Sequence, residues 1–381
     1  MAGLRRARGT FALWALLTLA SVFFFCEYFI YYCVMLQCSW PQIGRLDGTL
    51  EAPTLRAFFL ADTHLLGALR GHWFDRLRRE WQMERAFQTA LWLLKPHIVF
   101  ILGDIFDEGT WSSEKDWEDD VRRFSKMFRR TTDTELIVLP GNHDVGFQNE
   151  ADWAKLWRFE KVFNVTSATV VTKGGVNFLL LNSMAVLGGS CSVCRSVEDE
   201  LFLLSRDLNC SLQATQSKKV GKLCRDARKF PSSPPIILQH YPLYRASNAI
   251  CSGLDVAPEE VRHQRFEEQY DTLSQEASEK LLWWFRPRLV LSGHIHRSCA
   301  VLHENKYPEV SVSSFNWRNG NRPSFLLGSF SPDRLALSTC FLPEETTVVV
   351  LYCGSGAAVA LLALLRSYLL KGTSLVHRPP V

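Results

Sequence analysis

No concentrated block of basic residues is present in this chain. Its 43 Lys and Arg and 39 Asp and Glu are spread over 381 residues for a net charge of +4. Nucleic acid would demand a concentrated basic surface, so it is not expected as a partner. Internal repeats are also absent, and one domain accounts for the chain's central part. Residues 188–234 and 246–270, read as candidate substrate-recognition loops, carry no nucleotide-binding signature. The pair in Cys191-Ser-Val-Cys194 has no second Cys or His pair beside it, which favours a disulfide over zinc.

What the chain does have is a set of short apolar runs that each end in oxygen or imidazole groups. Val99-Phe-Ile-Leu-Gly-Asp-Ile-Phe-Asp-Glu-Gly109 leaves a buried parallel strand and delivers Asp104 and Asp107. Phe58-Phe-Leu-Ala-Asp-Thr-His64 ends in Asp62 and His64. Leu136-Ile-Val-Leu-Pro-Gly-Asn-His-Asp144 ends in Asn142, His143 and Asp144. Pro235-Ile-Ile-Leu-Gln-His240 ends in His240, and Leu289-Val-Leu-Ser-Gly-His-Ile-His296 in His294 and His296. Five of the ten histidines stand at these ends. In open α/β sheets ligands bind at the carboxyl ends of the strands, so these groups belong to one site. Oxygen and imidazole donors suit Mn, Fe or Zn, and the lack of thiolate there argues against an iron–sulfur centre. Two divalent ions sharing one carboxylate lower the pKa of a water and neutralise phosphoryl oxygens, as phosphoester hydrolysis requires.

The ends of the chain are apolar. Residues 10–36 are interrupted only by Glu27 and follow Arg5, Arg6 and Arg8; residues 346–365 carry no charge and precede Arg366 and Lys371. Each is long enough to cross a bilayer. The first run stays bulky and aromatic to its end, unlike a cleaved signal peptide, and reads as a signal anchor. Glu27 is expected at an interface or facing a partner helix. The flanking charges place residues 1–9 and 366–381 in the cytosol and 37–345 on the other side. Asn164-Val-Thr166 and Asn209-Cys-Ser211 are glycosylation patterns of the secretory pathway. Eight cysteines (Cys38, Cys191, Cys194, Cys210, Cys224, Cys251, Cys299, Cys340) fall in that central region, an even count that permits disulfides.

Within the domain, Trp73–Leu94 is helical by pattern, with Arg76, Arg78, Arg79, Glu80 and Arg85 as its solvated face. The polar residues 209–235 read as a loop before the next strand. Alternating helices and strands predict an α/β sandwich.

These motifs carry a family resemblance. Asp62-Thr-His64, Gly103-Asp104-x-x-Asp107, Gly141-Asn142-His143-Asp144, His240 and Gly293-His294-x-His296 resemble, in order and spacing, the five motifs of the calcineurin-like metallophosphoesterases. The resemblance implies a four-layer α/β/β/α sandwich, here flanked by two transmembrane helices. By position it implies that Asp62, His64 and His296 bind one metal ion and Asn142, His240 and His294 a second, with Asp104 bridging. It makes His143 the phosphate-contacting proton donor, oriented by Asp144, and gives Asp107 a role in ordering the turn. It also implies two divalent ions, most often manganese. Family phosphatases carry Arg where Glu108 stands here. A carboxylate there would repel a dianion, which favours a phosphodiester.

The whole arrangement is similar to the membrane-anchored metallophosphoesterases that remodel glycosylphosphatidylinositol (GPI) anchors. The resemblance runs through Leu77-Arg-Arg-Glu-Trp-Gln-Met-Glu-Arg-Ala86, Gly103-Asp-Ile-Phe-Asp-Glu-Gly109, Gln239-His-Tyr-Pro-Leu-Tyr244, Lys280-Leu-Leu-Trp-Trp284 and Pro287-Arg-Leu-Val-Leu-Ser-Gly293. It implies removal of ethanolamine phosphate from an anchor mannose in the early secretory pathway. GPI-anchored proteins would be the substrates, the lipid bilayer the setting, and transport-cargo receptors the partners. The tail Lys371-Gly-Thr-Ser-Leu-Val-His-Arg-Pro-Pro-Val381 departs from that group in lacking closely spaced lysines.

Overall fold

The computed structural model describes residues 2–44, 54–130, 132–146, 153–186, 192–216 and 224–376. The chain begins as one long helical rod: α1 (Ala2–Phe24), a π-helical turn (Phe25–Phe29) and α2 (Ile30–Met35). There follow β1 (Leu55–Leu60), α3 (Trp73–Leu94), β2 (Ile98–Leu102), α4 (Glu114–Met127), β3 (Glu135–Leu139), the single turn α5 (Asn142–Val145) and α6 (Trp153–Phe163). The second half runs β4 (Ala168–Lys173), β5 (Val176–Leu181), α7 (Ser192–Gln216), β6 (Ile236–Gln239), α8 (Glu259–Arg262), α9 (Gln275–Phe285), β7 (Leu289–Ser292), β8 (Cys299–His303) and β9 (Tyr307–Ser311). It closes with β10 (Ser324–Phe330), β11 (Leu335–Phe341) and α10 (Glu345–Val376).

The strands form two mixed sheets, β11-β10-β1-β2-β3 and β4-β5-β6-β7-β9-β8. Pairs β1–β2, β2–β3, β5–β6 and β6–β7 are parallel, so their connections must cross over a sheet face. Alternation along each strand sorts the aromatic side chains. Phe59 and Phe100 turn inward and, with Phe330, meet Phe178 of the other sheet, which fills the space between the sheets. Phe58 turns outward and stacks on Phe87 of α3. Helices α3 and α4 therefore cover one outer face. The β6–β7 crossover puts α9, which packs with α7, on the other. The result is an α/β/β/α sandwich whose central strands are buried on both faces, as their unbroken apolar runs require.

Helix α3 has the bounds its pattern predicts, Trp73–Leu94. Its arginines are not simply solvated: Arg78 pairs with Glu345 at 2.6 Å, Arg79 with Asp75 at 2.8 Å, and Arg85 lies over Trp81. The expected loop over 209–235 begins instead as helix, because α7 runs on to Gln216 with Leu201, Leu204 and Leu208 buried at helical spacing. Cys210 is tied to Cys224 from within that helix, and the Asn209 amide donates to the Trp284 carbonyl at 3.0 Å. Of the two glycosylation patterns, only Asn164 stands exposed, just after α6.

Every described cysteine between 37 and 345 is disulfide-bonded, through Cys38–Cys340, Cys210–Cys224, Cys251–Cys299 and Cys194, whose neighbour Cys191 lies outside the described residues. Among the described residues the free cysteines, Cys26, Cys33 and Cys353, lie in the terminal helices. Two helical stretches, Gly9–Met35 and Glu345–Leu369, are long and apolar enough to cross a membrane. They touch one another, and Glu27 accepts a hydrogen bond from Tyr352 of α10. Cys38–Cys340 fastens the end of the first helix to β11 across 302 residues of sequence. Replacing both cysteines with serine should therefore cost about 2–5 kcal/mol. Thermal unfolding in detergent reads this as a lowered midpoint; an unchanged midpoint would mean that the bond constrains nothing in the unfolded chain.

Candidate metal centre

Five loops leave the carboxyl ends of β1, β2, β3, β6 and β7 and converge at one end of the sandwich. The last residues of these strands are buried, so the chain must turn sharply to bring polar groups together without exposing the sheet. It does so through unusual backbone. Asp62, His64, Asp104, His294 and His296 all hold left-handed φ angles, between 41° and 73°. For residues with side chains each such turn costs on the order of 1–3 kcal/mol and persists only where the surroundings enforce it. Gly103 precedes Asp104 at φ 92°, and a Cβ there would lie 2.5 Å from Nδ1 of His240. The glycine lets an imidazole lie against the backbone.

The carboxylate of Asp104 is central. Its Oδ1 accepts the backbone N–H of His143 at 2.9 Å. Its Oδ2 lies 3.2 Å from Nε2 of His240 and 3.5 Å from Nε2 of His64. Around it the groups fall into two sets. Asp62, His64, Asp104 and His296 form one, with ligand atoms within 4.8 Å of one another; Asp104, His240 and His294 form the other. Asn142 joins the second set through Oδ1, 3.1 Å from Nε2 of His240. All seven residues carried over from the family motifs are thus brought together.

On three of the four rings the second nitrogen faces a protein oxygen. Nδ1 of His240 donates to the Leu102 carbonyl at 2.8 Å, and Nε2 of His294 donates to the Tyr270 carbonyl at 2.9 Å. Nδ1 of His64 faces Oδ1 of Asp107 at 3.2 Å. Holding the outer nitrogen fixes the tautomer and leaves the inner one as a lone pair. These inner lone pairs then face carboxylate oxygens and one another, as with Nε2 of His64 and His296 at 3.1 Å. Acceptors that converge with few donors among them match divalent cations, and the donor set fits two.

The site's charges interact strongly. Burial pushes the Asp62 carboxyl up to about 8, aided by Asp104. Burial likewise opposes charge on Asp104, but His240 and His64 outweigh it and hold it well below the usual carboxylate range. Burial would lower His240, yet Asp104 raises it to about 9. Burial and His240 together take His294 down to about 3. For His143, Asp104 and the Asp107 carbonyl overcome burial and raise it.

Two expected roles change. Asp144 does not touch the His143 ring. Its buried carboxylate accepts the backbone N–H groups of Ile105, Phe106 and Gly141 at 2.8–3.2 Å, clamping the β2 and β3 loops to each other. The His143 ring is held by Asp107 instead, Nδ1 donating to its backbone carbonyl at 2.9 Å. Glu108 does not face the centre either. Its buried carboxylate accepts N–H from Leu69 and Arg70 at 2.9 and 2.6 Å, ordering the loop after His64. It supplies no cation at that position, but it repels nothing directly.

Sequence reasoning missed the loop after β9. Ser314 donates to the Asp62 carbonyl at 2.8 Å, Asn316 to the Thr63 carbonyl at 2.7 Å, and Arg318 pairs with Oδ2 of Asp107 at 2.9 Å. The signal was present, since Ser313-Ser-Phe-Asn-Trp-Arg318 is another polar run at a strand end. It contains no Asp, Glu or His that would draw the eye.

Residues 55–298 match the family model of the calcineurin-like phosphoesterases. The chain is 59% identical over 345 residues to Metallophosphoesterase 1 of Danio rerio, covering 91% of this chain and 89% of that protein. Metallophosphoesterase 1 of Gallus gallus is 57% identical over 355 residues (92% and 89%), and that of Mus musculus 56% over 346 residues (91% and 86%). Among solved structures, a dimetal phosphatase from Danio rerio aligns with TM-score 0.43 at 12% identity, covering 76% of this chain and 99% of that one. A purple acid phosphatase from yellow lupin aligns with TM-score 0.47 at 12% identity (78% and 55%).

The clamp by Asp144 can be tested. Asp144→Asn replaces one acceptor oxygen with a donor facing backbone N–H groups, and should destabilise the fold by about 1–3 kcal/mol. A lowered unfolding midpoint with loosened metal is expected; unchanged stability with lost turnover would return Asp144 to the role of orienting His143.

Proposed function

We propose that this chain, which belongs to the calcineurin-like phosphoesterase family and is a metal-dependent phosphoester hydrolase, acts on a phosphodiester: ethanolamine phosphate on a mannose of a GPI-anchor glycan. One ion would be held by Asp62, His64, Asp104 and His296, the other by Asp104, Asn142, His240 and His294, with manganese the metal of choice. Bound there, two divalent ions neutralise phosphoryl oxygens and activate the attacking water. The chain's own residues do the rest. His143, raised towards its protonated form and with Nδ1 spent on the Asp107 carbonyl, would deliver a proton from Nε2 to the departing mannose oxygen. Asp107 orients two rings at once, His64 by its carboxylate and His143 by its carbonyl.

The observation that carries the phosphodiester reading is the absence of an unspent cation at the motif positions. Glu108 stands in the arginine position, and two guanidinium groups by these motifs are paired with carboxylates, Arg318 with Asp107 at 2.9 Å and Arg297 with Asp255 at 3.6 Å. A singly charged diester needs less compensation than a phosphomonoester dianion. The anchor glycan is supported by the five segments that resemble GPI-remodelling phosphoesterases. Two apolar helices that bracket a disulfide-bonded domain support a membrane protein of the early secretory pathway, with that domain lumenal and both termini cytosolic. GPI-anchored proteins would be its substrates, and receptors for their transport its partners.

The test uses detergent-purified protein, manganese, and anchor glycans with and without ethanolamine phosphate on mannose. Wild type should remove that group and Asp104→Ala should not. No cleavage, alongside manganese-dependent hydrolysis of an aryl phosphodiester, would keep the enzyme and remove the anchor as substrate. His143→Asn should keep its metal by elemental analysis while turnover falls roughly 10²–10⁴-fold. Metal and turnover lost in equal measure would make His143 a ligand or a structural residue.

A further inference from the structure

The outer side of α3 is inside out. Its charged residues are half-buried and paired: Arg76 approaches Glu80 and Asp119, Arg79 pairs with Asp75, and Arg78 pairs with Glu345 while lying over Trp317. Its large apolar side chains are the ones left outside, with Trp73 69%, Phe74 55%, Leu77 60% and Trp92 66% exposed. Trp73, Leu77, Trp81 and Trp92 recur at helical spacing and share one face. A water-facing helix would show the reverse arrangement, so something apolar with a polar margin covers this face.

The position of that face says what covers it. Trp81 makes an edge contact with Tyr28, and Trp92 one with Tyr32, both on the first terminal helix. Arg85 lies over Tyr28 and Trp81 together. Arg78 holds Glu345, the first residue of α10. The face is thus continuous with the ends of both apolar helices. Gly9–Met35 spans 27 residues, which at 1.5 Å each is about 40 Å against a hydrocarbon core of about 30 Å. The excess is the stretch after the π-helical turn, where Ile30, Tyr31 and Met35 are buried against the domain. Tyr28 and Glu27 then stand near the bilayer surface, and α3 lies at their depth. Tryptophan beside arginine is the composition of that boundary.

We propose that the Trp73–Phe74–Leu77–Trp92 face of α3 lies in the headgroup boundary of the membrane, holding the metal centre at the bilayer surface. This rests on reading the two terminal helices as spans. It deepens the functional reading, because the loop from His64 runs directly into α3. Glu108 fixes that loop through the N–H groups of Leu69 and Arg70, and Arg123 holds the Leu66 carbonyl at 2.9 Å. The substrate class this favours is a phosphoester borne on a lipid anchor close to the surface, presented sideways to the site.

The experiment uses the full chain with Cys26, Cys33 and Cys353 replaced by alanine, reconstituted into phosphatidylcholine–phosphatidylserine vesicles. A spin label is placed singly through Leu77→Cys, through Trp14→Cys in the first helix, and through Glu276→Cys on α9 across the sandwich. Collision with molecular oxygen, which concentrates in lipid, is compared with collision with a neutral nickel chelate, which stays in water. The oxygen-to-nickel ratio at 77 should be several-fold above that at 276 and approach that at 14. A ratio at 77 equal to that at 276, with 14 still oxygen-rich, overturns the proposal and leaves the spans standing. Nickel access at 14 as well removes the spans and the proposal together. Shielding at 77 from both reagents that grows with protein-to-lipid ratio assigns the face to a second copy and overturns the lipid occupant.

Discussion

Asp104 is the one group on which the geometry of the site depends. A single carboxylate, set on a left-handed turn after β2, touches the backbone of the β3 loop with one oxygen and stands between His64 and His240 with the other. Its backbone carbonyl also accepts the His64 N–H at 3.0 Å. Loops that follow strands in both sheets are therefore measured from one residue. The electrostatic cost of burying that carboxylate is met by the imidazoles gathered around it, which in turn are held by backbone carbonyls. Divalent cations complete the arrangement, and the protein's part is to keep the lone pairs aimed before they arrive.

The sandwich exists to make that aim possible. Parallel strands buried on both faces end together, so five turns arrive at one edge with little freedom to drift. The left-handed residues store strain there, and the Asp144 clamp and the Ser314–Asn316 bonds from the β9 loop resist its release. Most of this bracing is hydrogen bonding from side chain to backbone. Two of the ligands share in that bracing, since Asp104 accepts the His143 N–H and Asp62 the His294 N–H.

That division explains what could be read from the chain and what could not. The central strands were legible because an uninterrupted apolar run followed by Asp or His has few other uses, and α3 was legible from its period alone. The edge strands β4, β8 and β11 are only partly buried, and their alternation is weak. Helix α7 was hidden by a polar C-terminal half, whose helical state is enforced by burial of Leu204 and Leu208 and by the Cys210–Cys224 link. Asp144 and Glu108 were assigned by neighbours in sequence, whereas the direction of a buried carboxylate is set by whichever N–H groups need an acceptor. Ile105, Phe106 and Gly141 claimed one, Leu69 and Arg70 the other. No linear pattern states that demand.

The bond between Cys38 and Cys340 makes the region between them a closed ring, with an apolar helix leaving from each end. A protease that cuts once inside the ring opens it but frees nothing, because both pieces remain joined through sulfur and each keeps its helix. One cut outside the ring leaves the other helix attached. Parting the domain from both helices thus takes two cuts, one towards each end of the chain. If both helices span a membrane, a chain nicked once stays anchored, and reducing the bond would let its two pieces part from each other while each kept its own helix.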